Sequence, residues 1–224
     1  MVDIYIGAAV AATRRLYASA VESHPPTLVI KDLLSQHAQA IHTARPEDDE
    51  AVVFHLGSWS PALVGRSPKQ IMSAKLSLND TCECIAREYG FEDWQNVLDL
   101  GDKQLDAAFE SAVELVITGD VDALRDRLKA NPELTQQRSR YGHASTLLHY
   151  VGANGVESHR QITPLNCVDV VLCLLEHGAD VNAHANMYGG GSTTLMLVLS
   201  SAHPANAGVA APVAAVLKKA GAID

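Results

Sequence analysis

Apolar residues recur at helical spacing along most of the chain. Ala8, Ala11, Ala12, Leu16, Ala20 and Val21 predict a helix over residues 8–23, stopped by Pro25-Pro26. Val29, Leu33, Leu34, Ala38 and Ile41 share one face of a second helix over 28–43. From Ala44-Arg45-Pro46 through Gly57 and Ser60-Pro61 to Gly65 the period is lost, and residues 44–67 are expected to be irregular. Pro68 suits a first helical turn, where its missing N–H costs nothing. Ser77-Leu78-Asn79-Asp80 offers N-caps to a helix whose apolar face is Ile85, Ala86 and Tyr89, with Gly90 as its stop. Phe91-Glu92-Asp93-Trp94 restarts a helix with Trp94, Val97 and Leu98 on one side, ended by Gly101. Tyr89, Phe91 and Trp94 stand close together in a chain poor in aromatics and predict a small packed core.

Beyond about residue 100 the pattern changes to helix pairs that resemble one another, the mark of a repeat. Phe109 to Thr118, Gly119, then Val121 to Ala130 make the first pair. The second is Thr146 to Asn154, Gly155, then Val168 to His177, and the third is Thr194 to Ser201, a loop, then Val209 to Ala220. Each second helix carries a large apolar pair: Leu124/Leu128, Leu174/Leu175 or Val216/Leu217.

These residues resemble the ankyrin repeat. Thr146-Leu147-Leu148-His149 is similar to the family's T-P-L-H, with Leu147 in place of Pro, and Gly152-Ala153-Asn154-Gly155 to its turn. Val171 to Asn182 follows the V-x-x-L-L-x-x-G-A-D-V-N pattern nearly throughout, including Gly178-Ala179-Asp180. The third copy offers Thr193-Thr194-Leu195-Met196 and Val216 to Ala222; the first keeps Gly119-Asp120 and Leu124/Leu128. The resemblance covers about 109–224. The segment Arg87 to Trp94 is also similar to helical segments that precede such repeats in many bacterial proteins. The resemblance implies an all-α solenoid of about three helix pairs with long loop insertions. Its expected organisation is an N-terminal helical cap, 1–105, and a repeat domain, 106–224. It also implies that Thr146 caps its helix while His149 hydrogen-bonds neighbouring turns.

The copies depart from the family's spacing. Gly119 and Gly155 occupy matching places, as do Ser145 and Ser192, and both separations exceed the period of about 33. The excess lies at 156–166, at 203–208, and in the loop containing Tyr188-Gly189-Gly190-Gly191. Long structured loops commonly carry function. Here they bear Tyr141, His143, Asn154, Glu157, His159, Arg160, Tyr188 and His203, with His149 at the adjoining helix start.

Two functions follow from these residues. The leading expectation is a protein-interaction module that grips a partner protein through its concave face and inserted loops. Its binding set is Tyr141, His143, His149, Asn154, Glu157, Tyr188 and His203, with Tyr141, His143, Tyr188 and His203 in the partner footprint. The alternative is a small-molecule-binding protein or enzyme. In that case His149, Glu157 and His203 would supply acid/base chemistry, because unperturbed imidazole titrates near pH 6.5.

Composition narrows the field. With 224 residues, 47% of them hydrophobic, the chain can bury a core without metal or disulfide. The net charge of −9 provides no basic stripe for nucleic acid and makes anionic membranes poor partners. It favours a neutral or basic partner surface. The apolar stretch 4–13 is too short to span a bilayer, and Asp3 before it with Arg14-Arg15 after it is the wrong charge order for a signal peptide. Cys82, Cys84, Cys167 and Cys173 match neither a zinc nor a redox spacing. Reduced, buried thiols in a cytoplasmic protein are expected, with no metal and no cofactor. Gly189 to Thr193 lacks the Lys of a phosphate-binding loop.

Overall fold

The computed structural model describes residues 2–23, 27–44 and 49–223, with side chains 19–23 and 49 excepted. The Pro25-Pro26 stop, the Arg45-Pro46 break, and Ala20 and Val21 of the first predicted face lie outside what is described. The described residues are mostly helical, and strands are confined to two two-residue segments. Contacts divide the chain into two compact units: Ala8–Leu105, and Met1–Gly7 with Asp106–Asp224.

The first unit contains α1 (Ala8–Ser23), α2 (Ile30–His42), α3 (Asp49–Trp59), α4 (Pro68–Met72), α5 (Leu78–Glu88) and α6 (Trp94–Leu98). On α1 the buried stripe is Val10, Ala12, Thr13, Leu16 and Tyr17, rotated from the predicted one, while Ala8 is exposed. Helix α2 buries Ile30, Leu34, His37, Ala38, Ala40 and Ile41. Ser67 and Ser77 each form a reciprocal capping box, with Gln70 and Asp80 respectively. The unit closes on itself where Val29 pairs with Gln104.

Helix α3 replaces the irregular stretch expected over 44–67. Ala51, Val52, His55 and Leu56 form its buried stripe once His55 is counted as core. Gly57 is not a breaker here. A Cβ at that position would meet Ile71 Cδ1 at 3.1 Å, so the bare backbone lets α4 approach α3. Tyr89 is buried, but Phe91 and Trp94 are only half-buried and Leu98 is exposed, so the predicted aromatic core is smaller than expected.

In the second unit α7 (Ala107–Thr118) and α8 (Val121–Ala130) follow the sequence pattern closely. A 3-10 helix, Leu147–Gly152, stands where an α-helix was expected; Ala153 then turns left-handed. Next come a 3-10 turn at Ser158–Arg160, a strand at Thr163–Pro164, and α9 (Cys167–Glu176). Three further helices, α10 (Thr194–Ser200), α11 (Ala202–Asn206) and α12 (Ala210–Lys219), complete the unit. α11 fills the loop expected at 203–208. The strand Ile4–Tyr5 pairs antiparallel with Thr163–Pro164, which is why the first seven residues group with this unit.

The helices form two rows. Helix α7 packs on the 147–152 helix, which packs on α10; α8 packs on α9, which packs on α12. Cross-contacts α7–α8, 147–152 with α9, and α10–α12 join the rows. Phe109, Val113, Leu124, Leu147, Val171, Leu174, Leu195, Val198 and Leu217 are buried between them, each fully or almost fully withdrawn from water.

Candidate functional site

The loop before α10 forms a hairpin. Ala185 and Ser192 exchange both backbone hydrogen bonds, at 2.9 and 3.2 Å. Tyr188 sits at the tip in a left-handed conformation (φ 51°), followed by three exposed glycines. Its hydroxyl donates to Asn154 Oδ1 at 2.5 Å, Asn154 Nδ2 donates to Ser200 Oγ at 3.2 Å, and Ser200 Oγ donates to the Met196 carbonyl at 2.8 Å. This chain holds the phenol in place although the residue is 64% exposed. Met196 at 48% and Leu199 at 58% expose apolar surface beside it, on consecutive turns of α10. Together with Leu197, Ser200 and Lys218 they line an open cleft of about 590 Å³. Gly155 permits the tip to lie down. A Cβ there would run into the Met187 side chain, and its φ of 70° suits glycine.

Tyr141, His143 and Glu157 also come together, but inside the protein. All three are buried, so Tyr141 and His143 do not present the side chains that the expected partner footprint calls for. Glu157 Oε1 accepts from Tyr150 Oη at 3.1 Å and from Arg160 Nη1 at 3.3 Å, with His143 Nε2 3.7 Å away. Arg160 extends the cluster to α7, with Nη1 2.5 Å from Glu110 Oε2 and Nε 3.0 Å from Glu114 Oε1. Burial alone would raise the Glu157 carboxyl, but the Arg160 and His143 contacts outweigh it and hold it well below the ordinary carboxylate range. The inserted segment therefore folds its charges inward because Glu110 and Glu114 on α7 receive Arg160.

The three acid/base candidates are tied to different partners. Both donors of Thr146, its N–H at 3.1 Å and its hydroxyl at 2.8 Å, point at His149 Nδ1. His149 Nε2 is then the protonated nitrogen, and it faces the carbonyls of Ala183 and Ser192 at 3.1 and 3.3 Å. Burial lowers this imidazole to about 4, although the two carbonyls favour its charged form. With every ring position engaged and no exposure, His149 works as a tie within the fold. His203 is half-buried against the Tyr5 ring, 6.4 Å away, and its imidazole is lowered by burial.

A second polar cluster, marked by no sequence motif, lies in the first unit. His55 Nδ1 lies 2.8 Å from Glu88 Oε2, and Nε2 lies 3.1 Å from Thr13 Oγ1. The order hydroxyl, imidazole, carboxylate is that of a nucleophilic triad. However, Thr13 donates its proton to the Ala9 carbonyl at 2.9 Å, and Thr13, His55 and Glu88 are all shut off from solvent. A nucleophile must reach a substrate, so this arrangement is structural. Its members lie on α1, α3 and α5, too far apart in sequence for any local motif.

Among the described residues no group of three His, Cys, Asp or Glu is placed to hold a metal ion. All four cysteines are free and buried, and burial pushes the Cys167 thiol up to about 12, away from thiolate chemistry. No described helix is long and apolar enough to cross a membrane. Comparison with family models, curated proteins and solved structures gives no match.

Proposed function

We propose that the second unit is an ankyrin-type repeat stack acting as a protein-interaction module, with the Tyr188 face as its contact surface. Support for the stack comes from the two rows of helices and from His149, which ties Thr146 to neighbouring turns as the family's Thr and His do. The observation that carries the function is the exposed apolar cluster of Tyr188, Met196 and Leu199 around an open cleft, with the aromatic already fixed by Asn154. A rigid, half-wet tyrosine beside apolar neighbours is the composition of an interface anchor, because little rotamer freedom remains to be lost on binding. Asn154 and Ser200 provide the polar rim.

The test is photo-cross-linking. A benzophenone side chain in place of Tyr188 is expected to capture a discrete protein from lysate, and the same group in place of the exposed Asp102 is not. Equal capture at both positions contradicts the reading.

The cleft also favours a second reading, a small-molecule site. Its volume of about 590 Å³ lies within the range of ligand pockets, and its lining is mainly apolar. A metabolite panel that raises the melting temperature of the native chain, but not of a Met196→Asp/Leu199→Asp variant, would support this reading over protein binding.

A further inference from the structure

Asn154 is the one asparagine of the chain that glycine follows. Such a pair is chemically labile, because glycine puts no side chain in the way when its own backbone nitrogen attacks the preceding side-chain amide. The hairpin packing requires both residues. Asn154 Oδ1 accepts from the Tyr188 hydroxyl at 2.5 Å, and Nδ2 donates to Ser200 Oγ at 3.2 Å. A Cβ at position 155 would run into Met187 Sδ and lie 3.2 Å from Tyr188 Cε2, so nothing larger than glycine fits.

The same contacts oppose the attack. Bond formation draws Cγ onto the Gly155 nitrogen and makes it tetrahedral, which pulls Oδ1 away from Tyr188 and Nδ2 away from Ser200. The nitrogen must also give up its proton to solvent. Gly155 is buried under Met187 and the Tyr188 ring, and its N–H faces the Tyr188 hydroxyl oxygen. Attacking atom and target are therefore both engaged by one phenol.

We propose that Asn154-Gly155 is a modification site, a deamidation site kept latent by the Tyr188 hydroxyl and opened when the hairpin tip lifts. Hydroxide takes the Gly155 N–H proton, and the freed electron pair forms a bond to Asn154 Cγ. The Cγ–Nδ2 bond breaks, and ammonia leaves after taking a proton from water. A cyclic imide remains. Water adds to either of its carbonyls and breaks the C–N bond on that side, giving aspartate or isoaspartate. One water is consumed and one ammonia released. Either product replaces the donor to Ser200 with an acceptor and places a negative charge beside the cleft that Tyr188 and Ser200 line. Isoaspartate also lengthens the backbone by one carbon where Met187 leaves no space. The chemistry is independent of what the cleft binds.

The test incubates the full chain at mildly alkaline pH and follows aspartate and isoaspartate at position 154 by peptide mapping. A synthetic peptide of residues 150–158 is expected to react at least about tenfold faster than the native chain, since both amide ties are absent. Tyr188→Phe keeps the ring and removes the hydroxyl. It should react about fivefold faster than the native chain, with no increase at the other asparagines. Three results overturn the proposal: a native chain as fast as the peptide, a rise shared by every asparagine, or a Tyr188→Phe rate equal to or below the native one. A lower rate would make the hydroxyl a donor to the developing oxyanion instead of a latch. The comparison of native chain with peptide stands even if the variant fails to fold.

Discussion

Asn154 holds Tyr188 by its hydroxyl while standing 34 positions earlier in the chain, so the end of one helix fixes the tip of the next hairpin. The relationship ties an exposed aromatic to the buried framework. Asn154→Ala should cost about 1 kcal/mol or less, because the bond is exposed to water. The ring should become mobile on the nanosecond scale, as read by aromatic carbon relaxation. Unchanged ring order in the variant would show that Asn154 does not position it.

His149 makes a stronger prediction. Removing its ring as His149→Ala leaves the Thr146 donors and the Ala183 carbonyl buried without partners, while the Ser192 carbonyl keeps the Ala185 N–H, and should destabilise the fold by about 3 kcal/mol. Its pH signature is distinct. An imidazole that titrates at about 4 when folded and near 6.5 when unfolded stabilises fully above the unfolded value. Stability then falls as pH drops through that window, by roughly 3 kcal/mol in total. Urea unfolding from pH 7 to 4 checks this, and the slope should be smaller in the variant by the His149 contribution.

Glu157 and Glu110 should differ although they share one arginine. Glu157→Ala removes the acceptor of Tyr150 and strands the Arg160 charge in the interior, a loss of about 3–5 kcal/mol. Glu110→Gln keeps shape and removes a charge that burial disfavours. It should equal or exceed the native chain in stability at pH 8. Chemical denaturation of both variants at that pH gives the comparison.

Two glycines separate backbone strain from collision. Gly178 has φ 88° with open space around it, so Gly178→Ala should cost about 1 kcal/mol of strain alone. Gly155 has φ 70° and also lies against Met187, so Gly155→Ala adds a clash and should cost clearly more. Similar losses at the two sites would mean that the hairpin tip shifts freely.

How much of this was visible in the sequence depends on range. Helices α7, α8, α9 and α12 could be read because apolar spacing and Gly119 or Gly178 act within a few residues. Helix α3 was hidden because Gly57 and Ser60-Pro61 look like punctuation, whereas Gly57 serves packing against Ile71. Tyr188, on a loop that the pattern sets apart, is exposed and hydrogen-bonded to Asn154. Tyr141 and His143 stand in a polar stretch, yet both are buried. A polar loop turns inward only when distant partners receive it, and Glu110 and Glu114 lie about fifty residues before Arg160. Thr13, His55 and Glu88 lie on three separate helices, and nothing local joins them.

The central claim is that the Tyr188 face grips a protein. The direct measurement is quantitative affinity capture from lysate with the native chain and with Met196→Asp/Leu199→Asp, whose positions are exposed enough to accept charge without unfolding. Equal melting temperatures with a loss of at least about tenfold in one captured protein is the expected result. Equal recovery of every captured protein by both chains would contradict the claim.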